Sequence, residues 1–368
     1  MMEGINSAYG IYSLARTEES ENVLKERNLE YIRFYSESAD IPSRNIPISD
    51  PAWIRKLSAG SDYDIYMIQE TGRLNKLYNA QDADNTLFIT GHCNSNCVMC
   101  PSSEYSRRNG DHYSTEDLLE IIRHMIDEPE HLTITGGEPF LLGKGIFPVL
   151  NELKTRFPNG EFLLLTNGRV FANKSFCSML EETLPHKSML GIPVHGFNAE
   201  THDRITQVPG SFRQTFLGLK HLLSKEFNIE LRIVVSGLNA KYMDQMADLI
   251  INEFPGVTVV RIMGLEMLGN AAVHRNEVWI PYREAFLASK NAAEKLIRHG
   301  IDTSLYNFPL CSVDKEFWMI CPMSISGYKI RYAEACDECG VRDACGGLFA
   351  GSFSYAKSDV IPIRETVI

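Results

Sequence analysis

The chain has 368 residues, is 44% hydrophobic, and carries a formal net charge of −11 from 36 Lys+Arg against 47 Asp+Glu. That length holds one large domain or two modest ones, and the acidic balance argues against nucleic acid as a partner, which needs a basic footprint. No apolar run approaches the roughly 18 residues of a membrane span, and Met1–Asn6 lacks the basic and apolar regions of a secretory signal, so no membrane partner and a cytoplasmic location are expected.

The first 60 residues carry no strong pattern. Glu18–Tyr35 reads as a helix, with Val23, Leu24, Leu29, Ile32 and Phe34 as its apolar residues. Pro42, Pro47 and Pro51 then mark an irregular surface connection. Short alternating runs at Tyr63–Ile68 and Arg73–Tyr78 flank Glu70-Thr71-Gly72, which reads as a hairpin. A small β unit therefore precedes the rest, either to cover it or to recognise a partner.

From Thr86 onward, strand and helix patterns alternate. Strands are expected at Thr86–Thr90, His131–Thr135, Glu161–Thr166, Met189–His195, Ile229–Ser236 and Val257–Met263. Helices fall between them, the first opened by the capping run Ser114-Thr115-Glu116-Asp117 and others near 146–157, 173–183, 211–226 and 240–254. Six such repeats predict an α/β fold, a partial (β/α)6 parallel barrel with helices outside. A helix at Tyr282–Arg298 and a strand at Ile301–Tyr306 follow. The expected division is a small N-terminal α+β region at 1–84, the barrel at 85–300, and a Cys-rich extension at 301–368.

Ligands of parallel barrels sit at the C-terminal ends of the strands, and the polar signals fall there. Cys93, Cys97 and Cys100 follow the first strand at C-x3-C-x2-C spacing, and Gly136-Gly137-Glu138 follows the second. Asn167, His195, Ser236 and Glu266 follow later strands, while Arg232 sits inside the fifth and Met263 ends the sixth. An arginine in an apolar strand needs a partner: a bound carboxylate, or else Glu138 or Glu266. Taken singly, Asn167-Gly168 also reads as a turn and His195 as a core histidine. Three thiolates on one loop can hold three corners of a 4Fe–4S cube; the alternative is zinc, with His92 or His112 as fourth ligand.

Eight of the nine cysteines lie in two clusters, which in a chain of this kind points to metal rather than disulfides. The second contains Cys311, Cys336, Cys339 and Cys345, spaced C-x24-C-x2-C-x5-C, with Cys321 among them. A zinc ribbon and a second cluster both suit four such ligands. Cys321 reads as a core thiol, an alternative ligand or a substrate-facing residue, and the lone Cys177 as a buried structural thiol.

A cysteine triplet after one strand and Gly-Gly-Glu-Pro after the next resemble the radical S-adenosylmethionine (radical SAM) superfamily. The resemblance implies that a 4Fe–4S cluster on Cys93, Cys97 and Cys100 binds S-adenosylmethionine at its open iron, with Gly136, Gly137 and Glu138 receiving the amino group. It also implies reduction by a flavodoxin- or ferredoxin-like donor and hydrogen abstraction by a 5′-deoxyadenosyl radical. The tail resembles a shortened SPASM, or twitch, module with one auxiliary 4Fe–4S cluster on Cys311, Cys336, Cys339 and Cys345. More specifically, Asn85–Cys100, Arg261–Glu266, Leu305–Asn307 before Cys311, Ser324–Ser326 and Cys336–Phe349 look like the C-type radical SAM maturase of the His-Xaa-Ser system. That family implies a peptide or protein substrate. Gly327-Tyr328-Lys329 and Ser102-Ser103 depart from its pattern. Two other classes stay open: a radical SAM enzyme for a small molecule or nucleotide, and a non-catalytic iron–sulfur scaffold.

Overall fold

Two sheets and a short two-stranded antiparallel ladder organise the chain in the computed structural model, which describes residues 8–364. Met1–Asn6, read above for a targeting signal, lie outside the described residues, as do the last four. The chain divides into two units, one comprising Met1–Thr90, Asp111–Leu165 and Met179–Ser188, the other Gly91–Gly110, Thr166–Ser178 and Met189–Ile368.

The first unit opens with a six-stranded sheet ordered β4-β3-β2-β1-β5-β6. Its strands are β1 (Gly10–Ala15), β2 (Tyr31–Tyr35), β3 (Ser38–Ile41), β4 (Ile46–Ile48), β5 (Ile65–Ile68) and β6 (Leu74–Tyr78). Tyr12, Leu14, Ile32, Phe34, Ile41 and Ile68 lie in its core. The expected hairpin is present as β5 and β6, antiparallel. The expected helix over Glu18–Tyr35 is shorter: α1 (Glu18–Glu26) stops at Glu26. Asn28 adopts φ 53°, and the N–H groups of Asn28 and Leu29 close back on the carbonyls of Lys25 and Leu24. This is a Schellman stop, and it frees Tyr31–Tyr35 to pair as a strand. The prolines are also more ordered than expected. Pro47 sits in the edge strand β4, where its missing N–H costs no ladder bond, and Pro51 occupies the first turn of α2 (Pro51–Ser58).

The larger sheet has seven strands in chain order: β7 (Asp84–Phe88), β8 (His131–Thr135), β9 (Glu161–Leu165), β10 (Ser188–Pro193), β11 (Ile229–Val234), β12 (Val259–Met263) and β13 (Asp302–Tyr306). The six expected strands are there, His131–Thr135 with the same bounds and the others within two residues at either end. The seventh is the run expected after Arg298, which joins in parallel register with β12, Arg261 opposite Ser304. Alternation explains the arrangement. Leu231 and Ile233, or Val260 and Ile262, are buried, while Glu230, Arg232 and Arg261 take the opposite face of their strands. No helix of the described residues is long and apolar enough to cross a membrane.

Candidate metal and cofactor site

The cysteine loop is irregular, so its shape depends on what holds its backbone. Within the second unit, Asn96 and Val98 donate to the carbonyls of Thr206 and Ile205, at 3.0 Å each. On the other flank, the Asn270 side chain donates to Cys97 O at 3.2 Å and Ala271 N to Cys100 O at 3.3 Å. Gly269 makes that approach feasible: it has φ +57°, and a Cβ there would lie 2.3 Å from Pro101 O. Val98 and Met99 are buried with Ile205, Leu265 and Met267. Arg107 donates to Ser102 O at 2.5 Å and to the Asn96 side chain.

The three thiols are half-buried, and none is in a disulfide. Burial pushes the Cys97 thiol up to about 12, and Cys100 and Cys93 beside it push the same way, against Arg107. A thiol such as Cys97, whose ionisation burial and two neighbouring thiols oppose, is what bound cationic iron would relieve. Cys93 opens onto a cavity of about 200 Å3 that Asn94, Asn96, Glu104, Arg107 and Arg108 also line. Asn167 donates to Asn94 Oδ1 at 2.7 Å, and Arg169 to Asn94 O at 2.8 Å and Ser95 Oγ at 3.1 Å. The structure thus ties the Asn167 turn to the cysteine loop. Arg107, Arg169 and Asn270 were not singled out from the sequence; an arginine directly after Asn167-Gly168 was the available signal for one of them.

In the first unit, Gly137 N donates to Thr90 O at 2.6 Å, and a Cβ on Gly136 would sit 2.2 Å from Thr90 O and 3.0 Å from its N. Gly136 is therefore required by the approach of the Thr90 backbone, two residues past β7, a reason internal to the fold. Gly136→Ala is expected to lower stability by about 1–3 kcal/mol, since backbone cannot yield as a side-chain end would. Urea unfolding at equilibrium would measure it, and an unchanged midpoint would contradict the packing argument. Glu138 is 2% exposed, and its Oε1 accepts from Phe140 N at 3.2 Å. His112, one of the ligands considered for zinc, has its Nδ1 2.9 Å from Thr90 Oγ1.

Arg232 lies in the second unit with its Nε 3.4 Å from Glu230 Oε1 and 3.5 Å from Met263 Sδ. Its protein partner is thus neither Glu138 nor Glu266. Glu266 pairs with Lys329 at 3.2 Å. Glu230 stands two residues before Arg232 and so shares its face of β11, which the period of a strand makes predictable. Arg261, on the same face, donates to Ser304 Oγ at 2.6 Å and lies over the Tyr306 ring.

His195 is buried, and its Nδ1 has no hydrogen-bond partner among the described residues. Its backbone N donates to His202 Nδ1 at 3.2 Å, which fixes that nitrogen as an acceptor, and Asn239 donates to its carbonyl at 3.1 Å. Burial lowers both imidazoles. His202 falls to about 4, with Asp203 opposing and Arg169 assisting; His195 goes well below its usual value, with His202 assisting. Because the folded pKa lies below the unfolded one of about 6.5, the native state binds fewer protons than the unfolded chain in the window between them. Stability is held above about pH 6.5 and lost between there and about pH 4, by roughly 3 kcal/mol for His202. His202→Gln is expected to flatten urea midpoints across that window; an equally steep fall in the variant would count against the assignment.

The tail cysteines come together in the second unit. Cys311, Cys336, Cys339 and Cys345 all line one cavity of about 20 Å3, closed by Tyr332, Val341, Leu348 and Ile361. Cys345 Sγ accepts from Leu310 N at 3.3 Å and Gly347 N at 3.4 Å. Burial raises the Cys311 thiol, and Cys345, Cys336 and Cys339 raise it further. Cys321 is 5% exposed, reaches Phe308 O at 3.5 Å, and is pushed up to about 12 by burial, with Cys345 adding to the shift. Cys177 is buried against Phe171 O. No group of three or more His, Cys, Asp or Glu side chains among the described residues is arranged to hold a single metal ion. As donor sets, both cysteine groups fit thiolate-ligated iron–sulfur clusters.

Residues 87–250 match the model of the Radical SAM superfamily. An AdoMet-dependent heme synthase of Methanosarcina barkeri is 27% identical over 169 residues, 44% of this chain and 45% of that protein. A probable GTP 3′,8-cyclase of Pyrobaculum aerophilum is 28% identical over 156 residues, 41% of this chain and 47% of that protein. Among solved structures, Streptococcus suis SuiB bound to precursor peptide SuiA superposes with a TM-score of 0.50 at 11% identity, over 62% of this chain and 49% of that one. The matches span about half the length of each of these proteins. Within residues 87–250 the chain is thus similar to the Radical SAM superfamily, and its α/β fold with a parallel sheet is shared with these proteins.

Proposed function

We propose that the chain is a radical SAM enzyme that modifies a peptide or protein substrate by hydrogen abstraction. The observation that carries this reading is the cysteine loop: three half-buried thiols on a backbone pinned at both flanks, inside the segment matched to the superfamily. In this reading Cys93, Cys97 and Cys100 hold a 4Fe–4S cluster. Gly136, Gly137 and Glu138, with Asn167, His195, Arg232 and Met263, hold S-adenosylmethionine. When bound, the cluster supplies an electron that cleaves the sulfonium and yields a 5′-deoxyadenosyl radical.

The chain's own contribution is orientation. The Arg107–Asn96 and Asn270–Cys97 contacts fix the loop, and Arg169 holds Asn94 and Ser95. The orphaned Nδ1 of the neutral His195 is available to a ligand's polar group. Cys311, Cys336, Cys339 and Cys345 hold an auxiliary cluster in a tail that begins near residue 301, and the N-terminal region at 1–84, with its small β unit, serves partner recognition. A flavodoxin- or ferredoxin-like protein supplies the electron.

SuiB, a protein solved with a precursor peptide, supports a peptide substrate through fold alone. The motifs at Arg261–Glu266 and Leu305–Cys311 support the finer reading as a C-type maturase of the His-Xaa-Ser system. A small-molecule substrate is the second reading, favoured by the heme synthase and GTP cyclase likenesses.

Glu138→Ala tests the cofactor assignment. Loss of a charge-assisted hydrogen bond is worth roughly 1.5–3 kcal/mol, so S-adenosylmethionine affinity should fall by about one to two decades while the cluster still assembles. Titration of the reconstituted variant decides it, and unchanged affinity would remove Glu138 from the site.

A further inference from the structure

The first unit contains a cavity of about 610 Å3 that the chemistry above does not use, within the range of ligand pockets. Its lining comes largely from two strands that each end a sheet: β6, at one edge of the small sheet, and β7, at one edge of the large one. The ladder leaves the β7 edge open. Ile89 donates to Thr135 O and Ala83 accepts from His131 N, so the odd-numbered residues between them bond toward β8. The N–H and C=O groups of Thr86 and Phe88 project from the opposite edge and have no ladder partner among the described residues; the pairing of Thr90 with His112, and of Tyr113 N with Ile89 O, begins just past them. Such an edge is a template for another strand.

Around this edge the chemistry is specific. Phe88 is 39% exposed and meets Tyr113 edge-on, with ring centroids 6.5 Å apart, giving an apolar wall. Lys56, Arg73 and Lys76 line the cavity against a single carboxylate, Asp111. Lys76 is neutralised by the buried Asp64 at 2.5 Å, whereas Lys56 Nζ donates to Leu74 O at 2.8 Å and makes no ion pair among the described residues. Arg73 is exposed and makes no ion pair among the described residues. In a chain of net charge −11, this groove presents uncompensated cations.

We propose that the groove docks an extended, acidic stretch of a peptide, which adds as a strand to β7 at Thr86 and Phe88. Carboxylates of that peptide meet Arg73 and Lys56, and alternate apolar side chains lie against Phe88 and Tyr113. Main-chain bonds give affinity and alternate side chains give specificity in this mode of recognition. The proposal deepens the peptide reading above and rests on it in taking the docked stretch to be part of the substrate.

Fluorescence anisotropy with the full chain tests it, using fluorescein-labelled (Glu-Phe)4 octapeptide as probe. Binding is expected, at least tenfold tighter than for (Lys-Phe)4 and for (Glu-Phe)4 with alternate amides N-methylated. Arg73→Glu should weaken it at least tenfold, and so should Thr86→Pro, which removes one edge N–H where a proline is tolerated. Circular dichroism would verify that both variants fold, and hydrogen exchange in the wild type should slow at Thr86–Phe88 when the probe binds. No binding, equal binding of the three peptides, or insensitivity to Arg73→Glu would overturn the proposal. Displacement of the probe by GTP, with GTP binding intact in Thr86→Pro, would replace the peptide by a small anion. Formation of 5′-deoxyadenosine without peptide should be unchanged in Arg73→Glu. Docking without that product in the wild type would sink the enzymatic reading alone, and the product without docking would sink only this one.

Discussion

With Cys93, Cys97 and Cys100 all replaced by alanine, the reconstituted and reduced protein should release no 5′-deoxyadenosine from S-adenosylmethionine above background. The expected loss is total, because the open iron exists only if three thiolates build the cube. The variant should still fold. The loop is held by backbone bonds from Asn96 and Val98 and by the packing of Val98 and Met99, while the thiols add contacts such as Ser95 N to Cys93 Sγ at 3.4 Å. A circular dichroism spectrum like the wild type's, with product formation gone, is the expected pair of results. Undiminished cleavage in the triple variant would leave the triplet without a role.

The second large effect concerns the tail. Two clusters give about eight irons per chain, and one gives about four. Cys345→Ser should lower the content from about eight to about four. It should also lower the thermal midpoint, since metal binding at such a site is coupled to folding. Cys345 is the informative choice because its sulfur already gathers two backbone N–H groups and faces the cavity shared with Cys311, Cys336 and Cys339. Cys321→Ser should leave the iron unchanged, since four ligands complete the site without it. Zinc near one per chain, with iron near four, would replace the second cluster by a ribbon.

Much of this was legible because the strands advertise themselves. Runs such as Leu231–Ile233 and Val260–Ile262 alternate with turn-ending polar residues, so element type and order followed from periodicity. Ladders and loops, which depend on partners distant in sequence, were harder to read. The stop after Glu26 needed Asn28 in a left-handed conformation, and an asparagine among charged residues gives little sign of that. Gly136 looked like a glycine kept for a ligand, whereas the neighbouring Thr90 backbone already demands it. Arg232 was rightly read as needing a partner, and Glu230 was the one the strand period offered. The seventh strand was seen as a strand but placed after the sheet, because register belongs to pairing and not to local sequence. Arg107 and Asn270, which hold the cysteine loop, carry no local signature of that role.

The most direct test of the central claim is made on the wild type. Protein reconstituted anaerobically with iron and sulfide is reduced with dithionite, mixed with S-adenosylmethionine, and assayed by mass spectrometry for 5′-deoxyadenosine and methionine. The account predicts both products in equal amounts, dependent on the reductant. Full cluster occupancy with neither product would contradict it.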